Sequence, residues 1–64
     1  MVNKLREIRQ RKAMTQEALS KAAKINRVTI TKYETGVSSP TLKSAEKLAA
    51  ALGVTVDELI GKAG

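Results

Sequence analysis

Residues 25–36 read INRVTITKYETG, and the fold turns on whether this stretch is a strand or a helix. Its centre, VTIT, is β-prone by composition. The flanks argue the other way. Asn26 is a good helix N-cap, Gly36 supplies a left-handed C-cap, and Ile30 and Tyr33 share a face at helical spacing. Tertiary context outweighs propensity, so a helix over 27–35 is expected. Wound this way, Ile30 and Tyr33 form one side, and Arg27, Val28, Thr31 and Lys32 form the opposite side. The first side has the chemistry of a core; the second asks for another purpose.

Working outward, a first helix is expected over about 3–12, capped by Asn3, with Leu5 and Ile8 as its apolar stripe. Thr15 then caps a second helix over 16–23, with Glu17 placed to suit the helix dipole. Leu19 and either Ala22 or Ala23 point inward. Only Lys24 and Ile25 separate Ala23 from the next cap, Asn26. Helices joined this tightly cross steeply, as in a helix-turn-helix, and Ile25 plugs the space between them. Beyond Gly36, VSSP is a short loop, and a fourth helix over 42–52 begins with Ser39 or Thr41 as its cap. Leu42, Ala45, Leu48, Ala49 and Leu52 fall in one wide stripe, and Gly53 stops that helix. Thr55 to Glu58 fits a capping box for a last helix over 56–60 that carries Leu59 and Ile60. Residues 61–64 are expected to fray. The expected fold is all-α: one compact five-helix domain over residues 1–64.

At 64 residues the chain is near the lower limit for independent folding, so a small net stability is expected. There is no cysteine and no histidine, and only three carboxylates follow Glu34. A disulfide is impossible, and no metal site or other cofactor is expected. The same lack leaves no pairing for nucleophilic or acid–base catalysis, so an enzyme is not expected. No apolar run reaches membrane-spanning length, and MVNKLREIRQRK lacks the apolar stretch of a signal peptide. A cytoplasmic location follows from that reading. The basic residues are spread over several capped helices, which does not fit a membrane-active amphipathic helix.

Net charge is +6, and its distribution is uneven. Residues 1–43 hold ten basic and three acidic side chains, a balance of +7; residues 44–64 hold two and three, a balance of −1. The N-terminal two thirds therefore favour a polyanionic partner. The solvated-surface alternative stands beside it, above all for Lys4, Arg6, Arg11 and Lys12. The exposed side of the third helix carries sharper chemistry. Arg27 lies near the helix N-terminus and can bind guanine O6 and N7 together. Val28 is suited to a thymine methyl, Lys32 to guanine or phosphate, and Thr31 to phosphate or sugar. Ser38, Ser39, Thr41 and Lys43 are weaker candidates for phosphate, because Ser and Thr cap helices whether or not DNA is present.

The stretch TQEALSKAAKINRVTITKYETG resembles the helix-turn-helix of the phage repressor and Cro-like transcriptional regulators. Thr15-Gln16, Leu19-Ser20, Ile30, and Glu34 with Gly36 carry the likeness, which continues through Pro40, Leu48, Leu52-Gly53-Val54 and Asp57 to Leu59. It covers essentially the whole chain. The resemblance implies base contacts from Arg27, Val28 and Lys32. It implies backbone or supporting contacts from Asn26 and Thr31, and a phosphate contact and brace from Gln16. It also implies an ion pair between Arg9 and Glu34 that joins the first and third helices. Three positions depart from the family. Ser20 stands where a small Ala is usual, so its hydroxyl needs a backbone acceptor. Lys24 and Ala13 stand where Gly is frequent; a left-handed backbone there strains them by roughly 1–2 kcal/mol.

The expected function is a sequence-specific regulator of transcription that binds double-stranded DNA. A repressor is expected, acting as a homodimer on an inverted-repeat operator with half-sites about 34 Å apart. The dimer surface is open: Val56, Leu59 and Ile60 of the last helix serve either that surface or the core. A further alternative reads the chain as only the N-terminal domain of a longer repressor with separate dimerisation and sensing parts. The alternative is an antitoxin-type interaction module that binds a toxin or another protein partner.

Overall fold

The computed structural model describes residues 4–60. Five helices follow one another: α1 Leu5–Arg11, α2 Gln16–Ala23, α3 Arg27–Thr35, α4 Leu42–Leu52 and α5 Val56–Ile60. No strand occurs among the described residues, so the VTIT segment is helical. Each helix is too short to persist alone, and burial of one face holds it. That core is Leu5 and Ile8 from α1, Leu19 and Ala23 from α2, Ile30 and Tyr33 from α3. It is completed by Ala45, Leu48, Ala49 and Leu52 from α4, and Leu59 from α5. Met14, Ile25, Val54 and Val56 pack on its margins. Among the described residues no polar or charged residue is buried as a whole, although the Glu34 side chain is itself covered.

The helix starts are set by short side chains. The Thr15 Oγ1 accepts from the Ala18 N–H at 3.0 Å. Asn26 Oδ1 accepts from the Val28 N–H at 2.7 Å. Of the two candidate caps for α4, Thr41 is used: its Oγ1 accepts from the Ser44 N–H at 3.1 Å. At α5, Thr55 Oγ1 accepts from the Glu58 N–H at 3.1 Å, and Glu58 Oε1 lies 3.2 Å from the same hydroxyl. The expected cap Asn3 and the expected fraying segment 61–64 lie outside the described residues. The Lys4 N–H donates to the Leu59 carbonyl at 2.9 Å, which ties the start of α1 to α5.

One apolar expectation needs correction, and one alternative is resolved. Leu42 lies in the expected stripe of α4 but is 70 % exposed. It is the first residue of α4, and its side chain leans back off the helix end, where nothing covers it. Ile60 is only half-buried, while its neighbour Leu59 is 1 % exposed. Leu59 therefore belongs to the core and is not available to a dimer surface.

The turn between α2 and α3 is held from within. Lys24 takes up the left-handed conformation (φ 57°, ψ 43°) and caps α2 with its N–H on the Ser20 carbonyl. The Ile25 N–H donates to the same carbonyl at 3.1 Å. The Ser20 hydroxyl donates to the Ile25 carbonyl at 2.6 Å, so the serine at the helix crossing has its acceptor. Ala13 is also left-handed, at φ 57°. Gly36 and Gly53 hold the same conformation at the ends of α3 and α4 without a Cβ to strain.

Lys24→Gly is expected to remove strain of roughly 1–2 kcal/mol while adding backbone freedom to the unfolded chain. The net gain is about 0.5–1 kcal/mol, or a few degrees in Tm. Ala13→Gly is expected to behave alike. Thermal unfolding followed by circular dichroism checks both; a fall in Tm contradicts the strain.

Candidate nucleic-acid interface

The side of α3 opposite Ile30 and Tyr33 is open. Arg27, Val28, Thr31 and Lys32 are all exposed, and Val28 shows 62 % of its surface. Among the described residues no carboxylate pairs with Arg27 or Lys32. Their charges are therefore free for an external anion. Lys32 follows Arg27 by about a turn and a half, so the two reach different places along a bound ligand. Val28 lies between them in sequence.

Behind this face a polar network fixes how α3 sits on the domain. Arg9 Nε donates to Glu34 Oε2 at 2.6 Å, and Arg9 Nη2 donates to Glu34 Oε1 at 3.2 Å. The fork-on-fork pair is nearly dry, with the Arg9 side chain 12 % exposed and that of Glu34 3 % exposed. Arg9 Nη1 also donates to the Met14 carbonyl at 2.8 Å. Glu34 Oε1 accepts a further bond from Gln16 Nε2 at 3.0 Å. The network thus joins α1, the loop after it, the first residue of α2 and the last turn of α3. Burial pushes the Glu34 carboxyl up, but the hydrogen bonds from Arg9 and Gln16 and the charges of Arg9 and Arg6 outweigh it. The group is held below its ordinary value and stays ionised.

Gln16 links the brace to the open face. A carboxylate only accepts, so Gln16 must turn its NH2 toward Glu34. Its Oε1 then lies 3.2 Å from the Thr31 hydroxyl, which is also 3.1 Å from the Arg27 carbonyl. Asn26, at the head of α3, spends its amide oxygen on the cap and keeps its NH2 exposed.

The remaining candidates follow α3 in the chain or lie along α1. Ser38 and Ser39 are exposed in the loop after α3, and the Ser38 N–H donates to the Lys32 carbonyl at 3.2 Å. Thr41 is committed to capping α4, and its hydroxyl also lies 3.2 Å from Ser44 Oγ. Lys43 is exposed in the first turn of α4. The basic residues Lys4, Arg6, Arg11 and Lys12 are exposed along and beside α1; Arg11 is 3.5 Å from Glu7, a pair too open to matter much. Two features had no signal in the sequence: the Met14 carbonyl beneath Arg9 and the 71 % exposure of Val37; the bracing role that the resemblance implies for Gln16 takes the form of its bonds to Glu34 and Thr31.

Two short helices, α2 and α3, joined through residues 24–26, the second with an open, cationic side, define a helix-turn-helix domain. The chain belongs to the helix-turn-helix family, whose profile matches residues 5–59. It is 35 % identical over 57 residues to the HTH-type transcriptional activator BcrR of Enterococcus faecalis, covering 89 % of this chain and 28 % of that protein. It is 34 % identical over 58 residues to the cryptic phage CTXphi transcriptional repressor RstR of Vibrio cholerae, covering 91 % of this chain and 52 % of that protein. The chain thus spans about a quarter of one relative and about half of the other. The phage repressor among them agrees with the phage repressor and Cro-like resemblance. No helix among the described residues is long and apolar enough to cross a membrane.

Proposed function

We propose that this chain is a sequence-specific, double-stranded-DNA-binding regulator of transcription, with α3 in the major groove. One observation carries the reading: Arg27 and Lys32, without acidic partners, flank an exposed Val28 on a helix whose other side is anchored in the core. Val37 and Leu42 are exposed as well, so Val28 adds to the reading only through its place beside the two unpaired cations. Arg27 and Lys32 offer donors to base edges, and Val28 offers a methyl-sized contact. Gln16, Asn26, Thr31, Ser38, Ser39, Thr41 and Lys43 serve the backbone or support the reading side chains. The Arg9–Glu34 pair sets the pose of α3.

The relatives include both an activator and a repressor, by name. A repressor is our reading, since the phage repressor shares the larger part of its length with this chain. A single module of this size buries about 600–1,000 Å² on DNA, which is modest. Action as a homodimer on an inverted repeat supplies the rest.

Arg27→Ala tests the assignment. It is expected to weaken binding to a preferred duplex by about 1–3 kcal/mol and to relax preference at one base position. Fluorescence anisotropy at fixed salt, on the preferred duplex and on single-base variants, reads both effects. An equal loss on every duplex would assign Arg27 to phosphate and remove it from base reading.

A further inference from the structure

A groove of about 350 Å³ runs between α2 and α4 and shares no residue with the open face of α3. Its floor and walls are Ala22 and Ala23 from α2 and Ala50 and Ala51 from α4. Ala23 belongs to the core, Ala51 is half-buried, and Ala22 and Ala50 are exposed. The two helices pack on each other here, and their small side chains leave the hole between them unfilled. Lys24 and Lys47 complete the lining, and both are exposed. Among the described residues no carboxylate lies within ion-pair distance of either. Lys21, one turn before Lys24, already has Glu17 at 3.7 Å. Glu46 precedes Lys47 in the chain, but helical winding turns it about 100° round α4. One turn before Lys47 stands Lys43, another exposed cation. The groove thus joins an apolar hole to two ammonium groups that nothing neutralises.

Each half of that chemistry excludes an occupant. Phosphate or nucleic acid would neutralise the lysines but has no use for an alanine floor. A wholly apolar segment would fill the floor and leave the ammonium groups without partners. A second copy of this chain brings a net charge of +6 to a basic rim. An apolar ridge set between carboxylates satisfies both halves. We propose that the α2–α4 groove docks an acidic amphipathic helix of a protein partner. A large aliphatic side chain of that helix enters the hole among the four alanines, as a knob enters a hole between packed helices. Carboxylates beside it meet Lys24 and Lys47, which fixes orientation and speeds encounter. Glycine at position 24 would relieve the left-handed strain there, but it would also take one of the two cations from the rim. The surface is separate from α3, so the proposal does not depend on the reading of Arg27, Val28 and Lys32.

The probe is a synthetic helical peptide of about 18 residues, rich in alanine and glutamate, with leucines at two positions four apart. Its twin has alanine in place of both leucines and the same charge. Binding to the intact chain at fixed low salt is read by fluorescence anisotropy, and the residues touched by amide chemical shifts in NMR spectra. The leucine peptide is expected to bind saturably, at least about fivefold more tightly than its twin. Its largest shifts are expected at Ala22, Ala23, Ala50 and Ala51. Replacing both lysines (Lys24→Gln, Lys47→Gln) is expected to weaken it by about fivefold or more. Ala50→Leu, which fills the groove from an exposed position, is expected to weaken it by about tenfold. Thermal unfolding checks that each variant is folded; should Ala50→Leu not fold, the lysine variant and the twin peptide decide. Absence of saturable binding, equal affinity for the two peptides, or shifts centred on Arg27 and Lys32 overturns the proposal. Shifts at the four alanines that grow with protein concentration and no peptide present assign the groove to a second copy, and overturn it as well.

Discussion

Leu19→Ala is expected to cost about 3–4 kcal/mol and to leave much of the protein unfolded at 37 °C. Leu19 is fully buried on α2, where that helix packs against both α3 and α4. The shortened side chain loses its transfer free energy and leaves a cavity that its neighbours cannot refill, because they are themselves pinned. Leu48 and Ile30 beside it in the core are also fully buried. A chain of 64 residues has roughly 3–10 kcal/mol of net stability in total, so a loss of this size removes a third or more of it. The matched control is Leu42→Ala. Leu42 has the same side chain at 70 % exposure, and its truncation is expected to change stability by less than about 0.5 kcal/mol. Urea denaturation of the two variants separates them. A loss below about 1 kcal/mol for Leu19, or above it for Leu42, contradicts the core described above.

Glu34→Ala is expected to cost about 2–3 kcal/mol and, among variants that stay folded, to weaken DNA binding without touching DNA. The size follows from what is left behind. Arg9 keeps the Met14 carbonyl but loses both carboxylate bonds in a nearly dry site, and the Gln16 amide loses its acceptor. Gln16 is then free to rotate, and the Thr31 hydroxyl loses a fixed partner. The fold tolerates the change better than a core cavity because the Arg9 side chain retains some contact with water.

The same residue gives a pH dependence. Glu34 has a lower pKa folded than unfolded, so the unfolded chain binds its proton more readily. Its stabilisation is complete above the ordinary value of 4.5 and is lost as pH falls below it toward the folded pKa. Glu34→Gln keeps the shape and removes the charge. The difference in stability between the parent and this variant is expected to be constant above about pH 5.5 and to shrink as the solution is acidified. Chemical denaturation between pH 3 and 7 measures it; a difference that grows toward acid contradicts the role given to the pair.

Much of the backbone was legible in the sequence because it is decided locally. Thr15, Asn26 and Thr55 cap the helices that follow them, and Gly36 and Gly53 end α3 and α4, since each acts within a turn of its own position. Ile30 and Tyr33 were identifiable as core by spacing alone. Leu42 was not, because periodicity says which stripe a side chain belongs to and not that the first residue of a helix leans off its end. The choices between Ala22 and Ala23, and between Ser39 and Thr41, were likewise settled by packing and geometry that spacing does not encode.

The candidate site divides along the same line. Arg27, Val28 and Lys32 on one face follow from helical winding. The partnership of Arg9 with Glu34, twenty-five residues apart, came only through the family resemblance, as did the suspicion of left-handed backbone at Ala13 and Lys24. The resemblance implies Gln16 as a brace for α3, but not that the brace reaches Thr31. That reach depends on which way a carboxylate turns an amide, and that is a property of three helices brought together.

The most direct test of the central claim is selection of bound duplexes from a random DNA library by the purified chain at a stated salt concentration. Enrichment of a defined half-site containing guanine, repeated with inverted symmetry about 10–11 base pairs apart, is the predicted result. Salt-sensitive binding to all duplexes with no sequence enriched would contradict it. Charge would then be the only attraction, and the reading of Arg27, Val28 and Lys32 as base contacts would have to be given up.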